Sequence, residues 1–128
     1  MTNNPIEKLE KVDNHFKTAK FHSFNEVEEL EEQGGVYCVY KDNQAIYVGI
    51  SNNLQKRLKE FVSESRKPLR KKKKAMIHIG AFHIQKKYPD SIPTDYQFKY
   101  FVENDLNLYS LYERYLICLY EETLLNVK

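Results

Sequence analysis

The sequence lacks the features that would place it at once in several large classes of protein. Its 128 residues include only two cysteines, Cys38 and Cys118. These form neither a disulfide framework nor the paired spacing of a zinc site. Both cysteines lie in apolar stretches, so we expect buried free thiols and a reducing, cytoplasmic setting. No internal repeat is present, and the one low-complexity segment is a run of basic residues.

Long hydrophobic runs are absent too. The apolar run 75–85 is too short to span a bilayer and contains His78 and His83. The first ten residues carry neither the basic segment nor the apolar core of a signal peptide. The sequence therefore predicts a protein without a membrane span and without a secretory leader.

The composition is that of one folded domain. Hydrophobic residues make up 41% and charged residues 30% of the chain, which favours a packed core over disorder. A length of 128 residues suits a single domain and leaves little room for a second.

Positive charge is concentrated in one block, although the formal net charge is only +2. Residues 56–74 carry a net charge of +8, whereas residues 1–34 carry a net charge of −4. This basic block indicates an anionic partner, either nucleic acid or an acidic membrane surface, and a solvated loop is the alternative. We favour nucleic acid, and the candidate contacts are Lys56, Arg66, Lys67, Arg70, Lys71, Lys72, Lys73 and Lys74.

Hydrophobic periodicity and turn residues predict an α+β domain. Apolar residues at helical spacing alternate with short β-branched and aromatic runs that are typical of strands. The predicted elements are helices over 5–19 and 24–32, strands over 36–41 and 45–50, helices from 54 and over 75–84, a strand over 96–102 and a helix over 106–123. The fold that follows is a small three-stranded antiparallel sheet flanked by helices. An N-terminal helical extension (1–33) would pack on the main domain (34–128).

The hairpin turn carries a testable constraint. Asp42-Asn43 is a turn signal, and side chains on a strand alternate between the two faces of a sheet. Tyr37 and Tyr47 fall on opposite faces if the loop has two residues, and they share a face only with an odd loop or a β-bulge. A pocket that uses both hydroxyl groups therefore requires one of those irregularities.

Arg57 lies beside the apolar stripe of its predicted helix, between Leu54 and Phe61. From there its guanidinium group can bind a phosphate bidentately, and the alternative is an arginine whose stem covers apolar surface. Glu60 is expected to point to solvent.

Glu113 lies on the long C-terminal helix, away from its polar face. The apolar stripe of that helix is predicted to centre on Leu108, Tyr112, Tyr115 and Leu119. A carboxylate beside such a stripe requires either an ion pair or a bound cation.

Two tripeptides and the residues that follow them resemble a known family. The segment Gly35-Val36-Tyr37, nine residues and then Tyr47-Val48-Gly49 is similar to the signature of the GIY-YIG nucleases. The similarity spans 35–126, and its further matching residues are Ser51, Asn53, Leu54, Arg57, Glu113, Leu116, Ile117 and Asn126. Their order and spacing make the resemblance more specific than the tripeptides alone.

The resemblance implies a metal-dependent endonuclease that hydrolyses DNA with one Mg²⁺ or Mn²⁺ ion. Tyr37 would act as the general base or position the attacking water, with Tyr47 in support. Arg57 would stabilise the pentavalent phosphate, and Glu113 would hold the cation beside the leaving oxygen. The supporting residues that the resemblance implies are Gly49, Ser51, Asn53, Asn126 and His78.

Activation of a tyrosine base is where the chain departs from this pattern. A phenol with a pKa near 10 is ionised only to about one part in a thousand at pH 7, so it needs a nearby cation. Some relatives place a lysine directly after the second tripeptide, where this chain has Ile50. Others place a histidine after the arginine helix, and the candidates here are Lys73, Lys74 and His78.

Two other functions stay open from the sequence. The fold could serve as a nucleic-acid-binding module with weak or lost catalysis. Alternatively, the acidic N-terminal helices could bind a protein partner or a second copy of the chain. The presence of Tyr37, Tyr47, Arg57 and Glu113 together favours the enzyme, and the basic block favours nucleic acid, with DNA as the expected substrate.

Overall fold

A computed structural model describes residues 4–65 and 79–125. The four strands form one antiparallel sheet in the order β1-β4-β2-β3. The strands are β1 (His22–Ser23), β2 (Gly35–Lys41), β3 (Gln44–Ser51) and β4 (Gln97–Val102). The α-helices are α1 (Pro5–Thr18), α2 (Leu54–Ser65), α3 (Ile79–Lys87) and α4 (Tyr109–Leu119), and 3₁₀ helices span Phe24–Glu29, Pro93–Asp95 and Leu106–Leu108. The predicted α+β class is confirmed.

The sheet has four strands, so the prediction of three was wrong. The additional strand, β1, has only two residues and pairs with the start of β4. A two-residue strand is too short to leave an alternating pattern in the sequence. The helix predicted over 24–32 is a 3₁₀ helix, although the capping box of Ser23 and Glu26 that opens it is present.

The remaining helices follow the prediction with shifted ends. The helix expected over 75–84 is seen as α3 from Ile79 onward, and residues 75–78 lie outside the described part of the chain. The C-terminal helix ends at Leu119, earlier than the predicted residue 123. Helix ends are the positions where local sequence signals are weakest.

Each face of the sheet packs against its own layer of helices. Alternate residues of β2 point to opposite faces, and both sets are buried because β2 is a central strand. One face packs against α2, α3 and the first 3₁₀ helix, and its buried residues include Tyr37, Val39, Phe98, Leu58 and Phe61. The other face packs against α1 and α4, and its buried residues include Val12, Phe16, Val36, Cys38, Val48, Tyr112 and Leu116.

Lys99 is a buried cation within the second of these layers, with 7% of its surface exposed. Its Nζ atom donates a hydrogen bond of 2.8 Å to the carbonyl oxygen of Phe16, in the last turn of α1. The same atom lies 4.6 Å from the ring centroid of Phe21 and 5.4 Å from that of Tyr40. A helix C-terminus and aromatic faces both favour a positive charge, so Lys99 joins α1 to β4.

The two cysteines differ in burial. Cys38 is buried as predicted, and burial raises the pKa of its thiol to about 12. Cys118 is exposed, so the prediction of a buried thiol there was wrong. Among the helices of 4–65 and 79–125, none combines the length and apolar character that crossing a membrane requires.

Candidate active site

A β-bulge in the hairpin places two tyrosines on one face of the sheet. The loop has two residues, Asp42 and Asn43, with φ angles of 52° and 67°, as a type I′ turn requires. Beyond the turn the register shifts between Val39 and Tyr40, so that Val39 pairs with Tyr47. The irregularity that a shared tyrosine pocket requires is therefore present, as a bulge rather than an odd loop.

The C-terminal segment holds the bulge in place. The extra residue of the bulge is Ile46, whose carbonyl oxygen accepts a hydrogen bond of 2.7 Å from the backbone N–H of Leu125. The hydroxyl group of Thr123 donates a hydrogen bond of 2.5 Å to the carbonyl oxygen of Ala45. Backbone groups that the bulge takes out of the ladder thus find partners about 80 residues away along the chain.

Tyr37 and Tyr47 form an aromatic pair in the core beside α2. Their ring centroids lie 6.3 Å apart with an interplanar angle of 39°. Tyr37 pairs across the ladder with Gly49. A Cβ atom at position 49 would lie 2.5 Å from Cζ and 2.7 Å from Cε1 of Tyr37, so only glycine leaves room for this ring.

The turn after β3 sets the position of α2 and its arginine. The Oγ atom of Ser51 accepts a hydrogen bond of 3.0 Å from the backbone N–H of Asn53 and donates one of 3.0 Å to its carbonyl oxygen. The Oδ1 atom of Asn53 accepts a hydrogen bond of 3.1 Å from the N–H of Lys56, which caps the helix. The supporting roles expected of Ser51 and Asn53 are thus compatible with their positions.

Arg57 lies one turn into α2 and reaches Tyr37. Its guanidinium group hydrogen-bonds the Tyr37 phenol, and its Nη1 atom lies 3.1 Å from Oε1 of Glu60. The side chains of Arg57 and Glu60 are each 26% exposed, so the ion pair stands at the boundary of core and solvent. Glu60 therefore does not point freely to solvent, and that prediction was wrong.

Glu113 joins this group from α4. The buried residues of α4 are Tyr109, Tyr112 and Leu116, whereas Leu119 is 43% exposed, so the predicted stripe was partly wrong. Glu113 flanks the true stripe and is half-buried. Its charge acts on the phenols of both Tyr37 and Tyr47, so α4 brings this carboxyl group near the tyrosine pair.

Burial dominates the electrostatics of the four side chains. It raises the pKa of Tyr37 far above its usual value, the neighbouring phenol of Tyr47 raises it further, and Arg57 opposes both. Burial likewise raises the pKa of Tyr47 and of Glu113. Each of these acidic groups is thus held toward its neutral form, and a cation placed among them would reverse that effect.

A divalent cation fits this donor set. Mg²⁺ in phosphoryl-transfer sites is held by one or two carboxylates, with waters and phosphate oxygens as the remaining ligands. Glu113 offers one half-buried carboxylate beside two phenol groups. Carboxylate and phenol oxygens are hard donors that suit Mg²⁺, whereas zinc sites are typically built from nitrogen and sulfur ligands. Within the described residues no three His, Cys, Asp or Glu side chains cluster as metal ligands.

The other predicted site residues are only partly described. Lys56 is exposed on α2, as a phosphate contact requires. His78, Asn126 and the basic residues over 66–74 lie outside the described ranges, so their roles stay predictions.

Two further polar contacts in the structure, those of Glu60 and Glu103, were not predicted from the sequence. Glu60 could have been found from its opposite charge three residues after Arg57, a spacing that favours helical ion pairs. Glu103 had no such signal, because its hydrogen-bond partner Tyr112 lies nine residues away across a change of element, at 2.6 Å.

Comparisons with known proteins identify the family and the fold of the chain. The family model of the GIY-YIG catalytic domain matches residues 33–124 of the chain, which confirms the resemblance. No curated protein sequence gives a significant match.

Among solved structures, the GIY-YIG N-terminal endonuclease domain of UvrC from Thermotoga maritima is similar. Its magnesium-bound form is 19% identical, with a TM-score of 0.54 over 80% of this chain and 93% of that one. A point mutant bound to its catalytic divalent cation is 20% identical, with a TM-score of 0.55 over 81% of this chain and 93% of that one. At this level of identity the similarity establishes the fold.

Proposed function

Because this chain belongs to the GIY-YIG family, we propose that it is a metal-dependent endonuclease that hydrolyses phosphodiester bonds in DNA. One observation carries the proposal. Two phenols, a guanidinium group and a carboxyl group converge from β2, β3, α2 and α4, and each perturbs the pKa of another. Burial raises the pKa of Tyr40 as well, so the support for chemistry comes from the convergence of four groups at positions that match the family signature, and not from the raised pKa values alone.

Each side chain has a chemical task in this proposal. Hydrolysis forms a bond from a water oxygen to phosphorus, breaks the bond to the leaving oxygen and transfers a proton to that oxygen. Arg57 donates hydrogen bonds to the non-bridging oxygens, where negative charge accumulates. Tyr37 holds the attacking water through its hydroxyl group, and Tyr47 packs beside it.

The protonation state of Tyr37 limits what it can do alone. Its raised pKa keeps it a phenol near neutral pH, so it orients the water and accepts the water's proton only if a cation lowers that pKa. Glu113 would hold Mg²⁺ or Mn²⁺ for this purpose, and such an ion supplies Lewis acidity to phosphate and leaving oxygens. Among the described residues, Arg57 is a cation that already lowers the pKa of Tyr37, and Lys73, Lys74 and His78 stay candidates for the same role.

The basic block supports DNA as the substrate. Its net charge of +8 in 56–74 suits a phosphate backbone.

The cysteines support a cytoplasmic location. The two free thiols, one of them exposed, are consistent with the reducing cytoplasm, where exposed cysteines persist unpaired.

The decisive experiment uses supercoiled plasmid and the full chain. We expect nicking in Mg²⁺ or Mn²⁺, none in EDTA, and none with Glu113→Gln. The matched control is Glu122→Gln, at an exposed position beyond α4, which should cleave like the wild type. Cleavage that persists both in EDTA and in Glu113→Gln would contradict the proposal.

The same assay separates the other functions. Binding without cleavage of plasmid, branched DNA and RNA would favour a nucleic-acid-binding module. Absence of both binding and cleavage would favour a protein-interaction domain. Cleavage of RNA alone would replace the substrate and leave the proposed site in place.

A further inference from the structure

Two tyrosines in the first turn of α4 bind the same residue, Glu103, which directly follows β4. The hydroxyl group of Tyr112 donates a hydrogen bond of 2.6 Å to Oε1 of Glu103. The hydroxyl group of Tyr109 donates one of 2.9 Å to the carbonyl oxygen of Glu103. The second carboxylate oxygen of Glu103 accepts a hydrogen bond of 3.0 Å from the N–H of Asp105. Each of these bonds fixes the junction between β4 and α4.

Glu103 also binds the strand that carries the first tyrosine of the site. Its backbone N–H donates a hydrogen bond of 2.9 Å to the carbonyl oxygen of Gly34, directly before β2. Gly34 allows the approach of α4, because a Cβ atom there would overlap the hydroxyl group of Tyr109. Tyr37 lies three residues further along the same chain segment.

Glu113 follows directly from these anchored tyrosines. It is the residue after Tyr112 and lies one helical turn beyond Tyr109, on the same side of the helix. Tyr112 is fully buried and Tyr109 is 8% exposed, so neither ring can move without disturbing the core. The placement of the Glu113 carboxyl group near the tyrosine pair therefore depends on the bonds that Glu103 makes.

We propose that Glu103 is a positioning residue that sets the distance between Glu113 and the tyrosine pair, and thereby the affinity of the site for a divalent cation. This inference rests on the proposed function, because it takes Glu113 as the residue that holds the cation. Glu103 acts through α4 and does not itself touch the cation or the phosphate. Groups that bond a metal ligand directly commonly change affinity by roughly 10- to 100-fold, and Glu103, which acts on Glu113 through α4, is expected at the lower end of that range.

The test measures Mn²⁺ binding to the full chain without DNA, from the EPR signal of free Mn²⁺. Tyr112→Phe removes one hydroxyl group and keeps the ring, and we expect it to weaken binding by roughly tenfold. Glu103→Ala should weaken binding more than Glu103→Gln, because the glutamine oxygen can still accept the Tyr112 hydroxyl. Tyr115→Phe is the control, because that phenol on the same helix lies near Asp13 and Lys17 of α1 rather than Glu103, and it should bind Mn²⁺ like the wild type.

Glu113→Gln tests the cation site itself, whereas the variants of Glu103 and Tyr112 test the positioning role. If Glu113→Gln binds Mn²⁺ as the wild type does, the proposed cation site is wrong whatever Glu103 does. If Glu113→Gln abolishes binding but Tyr112→Phe and Glu103→Gln both bind normally, the cation site stands and the positioning role is overturned. If Tyr112→Phe instead strengthens binding, the Glu103 carboxylate binds the cation directly once the Tyr112 hydroxyl group no longer occupies it. That result also overturns the inference. Loss of fold in Glu103→Ala leaves Tyr112→Phe as the deciding variant.

Discussion

The ring of Tyr37 fills the space directly opposite Gly49. The ring can occupy that space only because residue 49 has no side chain. Their pairing depends on the bulge at Ile46, because without that extra residue Tyr37 would face Val48 instead. A side chain at position 49 would lie within 2.7 Å of three atoms of the Tyr37 phenol.

Gly49→Ala should displace the Tyr37 ring. We expect a loss of about 1–3 kcal/mol in the free energy of unfolding, because the core is overpacked, and a fall in cleavage on the order of 100-fold, because the hydroxyl group moves. Urea unfolding of Gly49→Ala, Tyr37→Val and the double variant measures the coupling. In the Tyr37→Val background the added cost of Gly49→Ala should nearly vanish, and additive losses would show that the two residues do not compete for space.

Glu60→Gln should strengthen DNA binding. The Arg57 guanidinium group shares its charge with Glu60 across 3.1 Å, and removing that carboxylate leaves more of the cation for phosphate. Affinity for a short duplex in EDTA should rise a few-fold, while stability changes by less than about 0.5 kcal/mol, as for other partly exposed helical pairs. Glu122→Gln controls for the general loss of one negative charge. Equal effects in the two variants would show that Glu60 does not compete with phosphate for Arg57.

The two lysines on the first turns of α2 should differ in their effect on DNA. Both are exposed, but the Nζ atom of Lys59 lies 3.0 Å from the carboxylate of Glu28. Lys56→Ala should therefore lower DNA affinity and reduce the dependence of affinity on salt by about one unit of slope, and Lys59→Ala should do less. Lys71→Ala in the basic block should also weaken binding and leave turnover at saturating DNA unchanged. A larger effect from Lys59→Ala would place the DNA on the other side of α2.

Glu113 should destabilise the protein when no divalent cation is present. Burial raises the pKa of its carboxyl group above the ordinary 4.5, so the folded protein binds a proton more readily than the unfolded chain. Stability from this group is present below pH 4.5 and is lost as the pH rises through the raised value. Glu113→Gln should thus melt higher than the wild type at pH 7 in EDTA and not at pH 4.

Addition of Mn²⁺ tests whether Glu113 holds the cation in the folded protein. A ligand that binds only the folded state raises its stability, so the cation should raise the melting temperature of the wild type and leave that of Glu113→Gln unchanged. Equal shifts in the two proteins would mean that the ion binds elsewhere.

The two thiols should react in separate steps. Cys118 is exposed and Cys38 is buried with a pKa of about 12. A thiol reagent at pH 8 should therefore modify one cysteine at once and the second only at the rate of unfolding. Because the folded-state pKa of Cys38 is raised, the stability it contributes is present below about pH 9 and is lost between pH 9 and 12. Cys118→Ser identifies the fast thiol, and rapid modification of both would contradict the burial of Cys38.

The hairpin shows how far sequence reasoning reached. The strands, the Asp42-Asn43 turn and the condition for a shared tyrosine pocket all follow from local pattern. The bulge itself does not, because the hydrogen bonds that hold it come from Thr123 and Leu125 at the far end of the chain. Contacts between residues so far apart along the chain cannot be predicted from the local sequence pattern.

The helix α4 shows the same limit in another form. Its existence follows from periodicity, but the orientation of its buried side was shifted, because Tyr109 turns inward toward Gly34 and Leu119 turns outward. That rotation is set by the approach of α4 to β2, which is a tertiary property. The polar partners Glu60 and Glu103 were missed for a related reason, since neither belongs to the signature that marks the site.

Lys99 bears on where the folding unit begins. The family match starts at residue 33, yet the ammonium group of Lys99 on β4 relies on the carbonyl oxygen of Phe16 in α1. A fragment cut at the family boundary would lack α1, so the ammonium group would lose that acceptor and the face of the sheet on which Val12 and Phe16 pack would lose part of its cover. The packed core therefore includes residues of α1, which lies ahead of the first residue that the family model matches.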